Sequence, residues 1–418
     1  MLKTIPITVK AQHYWTKKPT IPAQGNGRRL LNRLPHIQEQ VEAIIRNNVD
    51  SGSHTNGVLG AELERRFKEA VNAAAAFALD CGSSAIRAAC ELLRLPPGSE
   101  VIIPAYTFIM TAYSVSDAFA VNPADGTFSK LGLVPVFVDV DPRTYTLDPL
   151  KARAAISDKT AAIIVVHMLG QMGDMRPLLE LAEEYHLFLI EDAAQAHGAT
   201  YYDPLTQSTW YPGSIGHFGC FSMSDVKVIG SMGADAGMLT VTQKLLDLYP
   251  EIAAYIRGWR NTGRLSEHRY RHQMWGIRAR MDEYSAAECL AELAFLEVWT
   301  ERRRSIAARY SAALAGSCLQ PPYIAAGRRH AFFNYMVKAP DVHTRKNLES
   351  RMKVAGIQVA DAYTNVAEQE LYRTGKLPCR VEALDVTKEI TDLLVPIPCY
   401  PELTESEIER IEEVLAIQ

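Results

Sequence analysis

Ile190-Glu191-Asp192-Ala193-Ala194-Gln195-Ala196-His197-Gly198 and, further on, Phe221-Ser222-Met223-Ser224-Asp225-Val226-Lys227 are the stretches on which the reading of this chain turns. In the first, a short apolar run over 187–190 closes on an acid, Asp192. In the second, an apolar run closes on Ser222, and Lys227 follows in a stretch punctuated by Gly230, Gly233 and Gly237. Similar short runs occur at 76–79, 101–104, 134–139, 161–167, 218–222 and 237–241. Helical patterns separate most of them, at 82–93, from Ile109, at 149–156 and at 175–185. Apolar strands alternating with helices predict an α/β fold with a mainly parallel sheet buried on both faces. Ligands of such sheets gather at the carboxyl ends of the strands, where Asp192 stands.

The chain has 418 residues, too many for one hydrophobic core. Three parts are expected. Residues 1–35, rich in Pro, Gly, Lys and Arg, read as an irregular arm packed on a neighbour. Residues 36–290 read as a large domain with helices near 37–46 and 61–71. Residues 291–418 read as a small α+β domain, reached by a long helical stretch over 282–313. Its closing helix opens on Thr404 and Glu407, spaced as a capping box. The turn-rich segment 122–132 reads as an inserted surface loop.

Composition is that of an ordinary globular chain, 48% hydrophobic and 22% charged. A net charge of −4 gives no electrostatic case for nucleic acid or an anionic membrane, and no apolar run approaches the length of a membrane span. The first residues lack the apolar core of a signal peptide. The seven cysteines are widely spaced with no C-x-x-C pair, which argues against zinc and iron–sulfur sites and for reduced thiols in the cytoplasm.

An acid closing a strand and a lysine on a glycine-rich loop are the two groups that pyridoxal 5'-phosphate (PLP) requires. The lysine amine holds the aldehyde as a Schiff base, and the carboxylate keeps the pyridine nitrogen protonated. Each also has a plainer reading, Asp192 as a strand-end cap and Lys227 as a solvated side chain. The turn Cys81-Gly82-Ser83-Ser84-Ala85, between a strand and a helix, suits a phosphate but also ordinary serine capping. Phe108, just after the 101–104 strand, can stack on a ring or fill a core.

Together with Ile103-Pro104-Ala105-Tyr106-Thr107-Phe108, Pro135-Val136-Phe137-Val138-Asp139-Val140-Asp141 and Val166-His167-Met168-Leu169-Gly170, these segments occur in an order that resembles the DegT/DnrJ/EryC1/StrS family of PLP-dependent sugar and cyclitol aminotransferases. The resemblance implies fold type I, the aspartate aminotransferase fold, and a homodimer with shared active sites. It implies that Lys227 carries the cofactor and shuttles the proton, that Asp192 pairs with the pyridinium nitrogen, and that Gln195 bonds the ring's phenolic oxygen. Phe108 stacks on the ring, and Ser83, Ser84 and Ser222 hold the phosphate. Arg278, in Gly276-Ile277-Arg278-Ala279-Arg280, stands where the family has an asparagine that reaches a partner's phosphate site. Two other departures are Gly233-Ala234-Asp235-Ala236-Gly237 for Gly-Asp-Gly-Gly, and Tyr363-Thr364-Asn365-Val366-Ala367, which lacks the family's histidine. The expected reaction is transfer of an amino group from L-glutamate or L-glutamine to a keto-sugar, nucleotide keto-sugar or keto-cyclitol, in amino-sugar or antibiotic biosynthesis. The alternatives are a dehydratase or lyase like the aromatizing amino-hydroxybenzoate synthases, and a non-catalytic PLP-binding regulator.

Overall fold

The computed structural model describes residues 57–121, 128–232, 235–266 and 270–417, together with residues 21, 22, 42, 46, 55 and 268. Most of the arm, most of the helix expected near 37–46, and the tip of the 122–132 insertion lie outside the described residues.

Eight strands form the central sheet in the order Ala75–Leu79, Gly237–Val241, Phe218–Ser222, Phe188–Asp192, Thr160–Val166, Glu100–Pro104, Val134–Val138 and Arg380–Val381. Gly237–Val241 runs antiparallel to both its neighbours, and the other pairings are parallel. Side chains of one strand alternate between the two faces. Thus Ile164 packs with Ala85, Ala89 and Ile103 on one side, while Ile163 and Val165 pack with Met175, Leu178 and Leu181 on the other. The helices Gly82–Leu92 and Met175–Glu184 cover these opposite faces. The continuous apolar runs of the sequence follow from this double burial.

The small domain pairs Tyr335–Lys338 antiparallel to Leu394–Ile397. Helices Leu296–Ala313, Val342–Val354 and Glu405–Ala416 enclose a core that includes Tyr310, Tyr335, Leu348 and Ile408. The capping box of Thr404 and Glu407 is formed. From the arm, Ile21 bridges Ile357 and is fully buried in this core, so that part of the arm packs on its own chain.

Three features differ from the sequence reading. The helical stretch over 282–313 is two helices, Glu283–Leu293 and Leu296–Ala313. The first packs under the sheet beside Phe67 and Met281, and the second runs from that cluster, where Leu296 and Trp299 pack, into the small-domain core. The insertion is partly regular, since Phe119–Val121 pairs with Phe128–Lys130. The C-terminal stretch also returns to the large sheet through Arg380–Val381, with Val366, Ala367 and Tyr372 in the core beneath.

Asp139, just past the Val134–Val138 strand, joins the two regions. It is fully buried and accepts from Thr387 Oγ1 (2.7 Å), Thr387 N (2.8 Å), Val386 N (2.9 Å) and Lys151 Nζ (2.8 Å). It thereby caps the first turn of helix Asp385–Leu393 from across the fold.

Candidate active site

A cavity of about 400 Å³ opens above the carboxyl ends of the sheet, between Thr107, Phe108 and Lys227 on one wall and Phe333, Tyr363 and Cys399 on the other. The backbone explains how the second wall comes so close. Gly170 has φ +102°, and a Cβ there would lie 2.8 Å from Phe333 N. Only glycine allows this approach. Ala331 N donates to Gly170 O (2.8 Å) and Asn334 N to Leu169 O (3.3 Å), which fixes Phe333 opposite Lys227. The lysine Nζ lies 4.8 Å from the Phe333 ring centroid.

Glu191 and Asp192 are adjacent acids on one strand, so they face opposite sides of the sheet. Glu191 accepts from Gly213 N, Ile215 N and Gly216 N at 2.9, 2.7 and 2.7 Å, and pairs with His167 Nε2 at 2.9 Å. Gly173 N donates to His167 Nδ1 (3.2 Å), so the Nε2 proton points at Glu191. Asp192 takes fewer bonds, from Thr111 Oγ1 (2.8 Å) and Ala194 N (3.2 Å). Burial pushes its carboxyl above the ordinary value, against the hydrogen bonds of Thr111 and Ala194 and the charge of Lys227.

Lys227 is half-buried in the cavity wall. Burial presses its amine down to about 8, against the opposing pull of Asp192 and Asp235. Its backbone N–H donates to Ser224 O (2.9 Å). Gln195 is oriented by Leu169 N, which donates to Oε1 (2.7 Å), so Nε2 points to Tyr363 Oη (3.2 Å). Burial raises that phenol to about 12, with Asp192 adding to the shift, so it is neutral.

The phosphate turn is equally specific. A Cβ on Gly82 would lie 2.7 Å from Ser222 Cβ, so glycine lets the first turn of helix Gly82–Leu92 sit against the end of the Phe218–Ser222 strand. Cys81 caps this helix, its sulfur accepting from Ser84 N (3.4 Å). Phe108 is 54% exposed, an unusual state for so large an apolar ring beside a cavity. An exposed ring, a lysine of lowered basicity, an under-paired buried acid and an N-terminal serine turn fit the functional groups of PLP.

The structure thus sets Lys227 and Phe108 in the wall of one cavity, with Gln195 bonded to Tyr363 of its lining and Asp192 close enough to Lys227 to act on its basicity. Ser83 and Ser84 line a second cavity with Met110 and Ser114, and Ser222 abuts Gly82. Arg278 is separate: it is exposed, bridges Asn261 through the backbone, and does not line the first cavity. Burial, Arg278 and Arg264 together lower the basicity of Arg280, which marks a crowded cationic patch. Sequence reasoning missed Thr111 and Phe333. The first had a signal, since Thr107 and Thr111 stand four residues apart on either side of Phe108 and their hydroxyls meet at 2.9 Å. Phe333 had none.

A reversed Gly237–Val241 strand in an otherwise parallel sheet, with a lysine and an acid at its carboxyl edge, defines a PLP-dependent enzyme of fold type I. The chain belongs to the DegT/DnrJ/EryC1/StrS aminotransferase family, which it matches over residues 35–416. It is similar to a pleiotropic regulatory protein of Geobacillus stearothermophilus, 34% identical over 80% of this chain and 82% of the other. It is 31% identical to the UDP-N-acetyl-3-dehydro-alpha-D-glucosamine 3-aminotransferase of Acidithiobacillus ferrooxidans, over 91% and 94%. Its fold matches that of DesV from S. venezuelae, solved in complex with a ketimine intermediate, with a TM-score of 0.81 and 28% identity over 96% and 98%.

Proposed function

We propose that this aminotransferase moves an amino group from L-glutamate or L-glutamine to a ketone on a nucleotide-linked sugar. The observation that carries this reading is the pairing of under-bonded Asp192 with the weakly basic Lys227 beside one cavity. The names of several relatives, which act on UDP-, GDP- and dTDP-sugars, support the acceptor class.

When bound, PLP supplies an aldehyde that takes up the amino group and a ring that accepts an electron pair. Lys227, with a basicity near neutral pH, is suited both to take and to return a proton at the reacting carbon. Asp192 would hold positive charge on the ring nitrogen; burial strengthens that attraction because little water competes. Phe108 would stack on the ring. Gln195, whose amide nitrogen donates to the neutral Tyr363 phenol, would bond the ring's phenolic oxygen. Ser83, Ser84 and Ser222 would hold the phosphate with the helix N-terminus. In a homodimer, Arg278 would reach the phosphate site of the partner subunit, and its cationic surroundings favour an anion there.

Visible absorption tests the reading. PLP bound to the protein should give a band that bleaches with L-glutamate or L-glutamine and returns with a nucleotide keto-sugar. A band that bleaches and is restored by no keto-sugar removes the proposed acceptor class.

A further inference from the structure

A buried carboxylate far from the cavity collects donors from four parts of the large domain. Glu91, 4% exposed, accepts from Arg87 Nε (2.8 Å), Phe119 N (3.1 Å), Trp259 Nε1 (2.6 Å) and Trp275 Nε1 (3.2 Å). Phe119 and Phe128 belong to the inserted hairpin, and Trp275 directly precedes the Gly276–Arg280 segment. Their rings form one cluster: Phe119 stacks on Phe128 at 5.8 Å, and Trp275 lies tilted against both, at 4.3 Å from Phe128 and 6.2 Å from Phe119. Arg87 covers Phe119 from the side, 5.8 Å from its centroid.

The segment beyond Trp275 is tied to the domain by backbone hydrogen bonds on both sides of Arg278. Thr262 N donates to Ile277 O (2.9 Å), Ile277 N to Trp259 O (2.8 Å) and Ala279 N to Arg260 O (3.0 Å). The stretch before it, including Leu265, Met274 and Trp275, borders a cavity of about 370 Å³. Backbone pairing and the burial of Ala279 fix the base of the segment, and the polar anchor on Glu91 and the aromatic cluster hold the stretch that leads into it. Phe128 and Trp275 nonetheless remain 43% and 38% exposed, more than a purely structural cluster needs.

We propose that Glu91 and the Phe119–Phe128–Trp275 cluster brace the Gly276–Arg280 segment so that Arg278 is presented to a second copy of the chain, where it completes the cofactor-phosphate site. This rests on the reading of Arg278 given above. Glu91 and the three rings are positioning residues: they touch neither substrate nor cofactor and act through Arg278. The insertion then has a task, to aim a long, flexible side chain across a subunit boundary.

Affinity for PLP, measured by titrating the apoprotein, tests the brace. Phe128→Ala removes one ring of the cluster at an exposed position. It is expected to weaken PLP binding roughly tenfold while leaving the apoprotein's melting temperature within about 2 °C. Arg278→Ala is expected to weaken binding at least as much, and Phe128→Ala on that background to add nothing, as for two residues acting along one path. Additive losses, or unchanged affinity in Phe128→Ala alone, overturn the brace and leave the role of Arg278 standing. Unchanged affinity in Arg278→Ala overturns both. In a mixed oligomer of Phe128→Ala and Lys227→Ala chains, tight PLP binding with the Lys227-dependent band should return, because the intact segment comes from the Lys227→Ala chain. Failure to recover would place the effect within one chain and overturn the proposal. Trp275→Ala provides a second variant, with the same expectations, should Phe128→Ala fail to fold.

Discussion

Asp139 and Asp192 stand at the carboxyl ends of two strands of one sheet, both almost sealed from solvent, and they behave in opposite ways. Asp139 accepts from Val140 N, Val386 N, Thr387 N, Thr387 Oγ1 and Lys151 Nζ. Burial alone would raise its carboxyl, but the bonds from Lys151 and Thr387 prevail and hold it below the ordinary value. Among the described residues Asp192 accepts only from Thr111 Oγ1 and Ala194 N; burial prevails and its carboxyl is raised. A carboxylate has room for about four hydrogen bonds. Asp139 uses that capacity inside the fold, whereas Asp192 keeps part of it for a group from outside. Burial of an acid therefore does not identify a reactive site; incomplete pairing does.

The largest expected effect concerns what Asp192 serves. Lys227→Ala should reduce turnover by about 10⁴-fold or more, since one group is lost both as cofactor anchor and as proton carrier. Far-ultraviolet circular dichroism should stay unchanged. Undiminished transamination would sink the mechanism. The two aspartates should then separate cleanly. Asp192→Asn should lower kcat by about 10²- to 10³-fold through loss of charge opposite the ring nitrogen, with little change in the denaturant midpoint. Asp139→Ala should do the reverse, costing about 3–5 kcal/mol of stability because Lys151 and the helix donors lose their buried partner, while the kcat of folded holoenzyme changes little. A kinetic loss in Asp139→Ala as large as that in Asp192→Asn would break the comparison.

That comparison was only half legible in the sequence. Asp192, Lys227, Gly82-Ser83-Ser84 and Phe108 could be read because each lies within a few residues of a strand end, and local order places them at one edge of the sheet. The strands themselves were readable because burial on both faces makes them uniformly apolar. Asp139 appeared only as part of a quoted run; its meaning depends on Thr387, which is far away in sequence. Tyr363 was noted for the histidine missing after it, but its bond to Gln195 depends on the small domain's position. The cluster of Phe119 and Phe128 with Trp275 likewise joins an insertion to a distant loop, and no periodicity encodes it.

Next in size is a pH effect. An amine attacks an aldehyde only when deprotonated, so with Lys227 at about 8 the rate of PLP capture by apoprotein should rise nearly tenfold per pH unit below 7 and level off above 9. A capture rate still climbing steeply at pH 10 would mean that the lysine keeps its ordinary basicity and that the cavity does not desolvate it. Asp192→Asn should move the midpoint lower, because a charge that raises the amine's basicity is gone.

The smallest effect is the most discriminating, because it changes both acids by the same chemical step. Each aspartate accepts from one threonine hydroxyl, Thr387 at 2.7 Å and Thr111 at 2.8 Å. Valine keeps the shape and removes the donor. At Asp139, whose carboxyl is lowered on folding, the stabilisation exists above the unfolded value near 3.8 and is lost as pH falls below it. Thr387→Val should therefore cost about 1–2 kcal/mol near neutral pH, make the acid limb shallower, and leave kcat alone. At Asp192 the carboxyl is raised, so it opposes folding once pH rises through 3.8, and the penalty is relieved in acid. Thr111→Val removes a bond that restrains this rise. The apoprotein should lose stability above pH 4 and not below it, and kcat should fall about three- to tenfold as Asp192 binds its proton more readily. Equal acid limbs and equal kinetics in the two variants would mean that the difference in pairing, five donors against two, does not set the roles of these acids. Opposite limbs would show that one sheet edge uses the same residue type in two ways, one spent on holding the domains together and one kept for the cofactor.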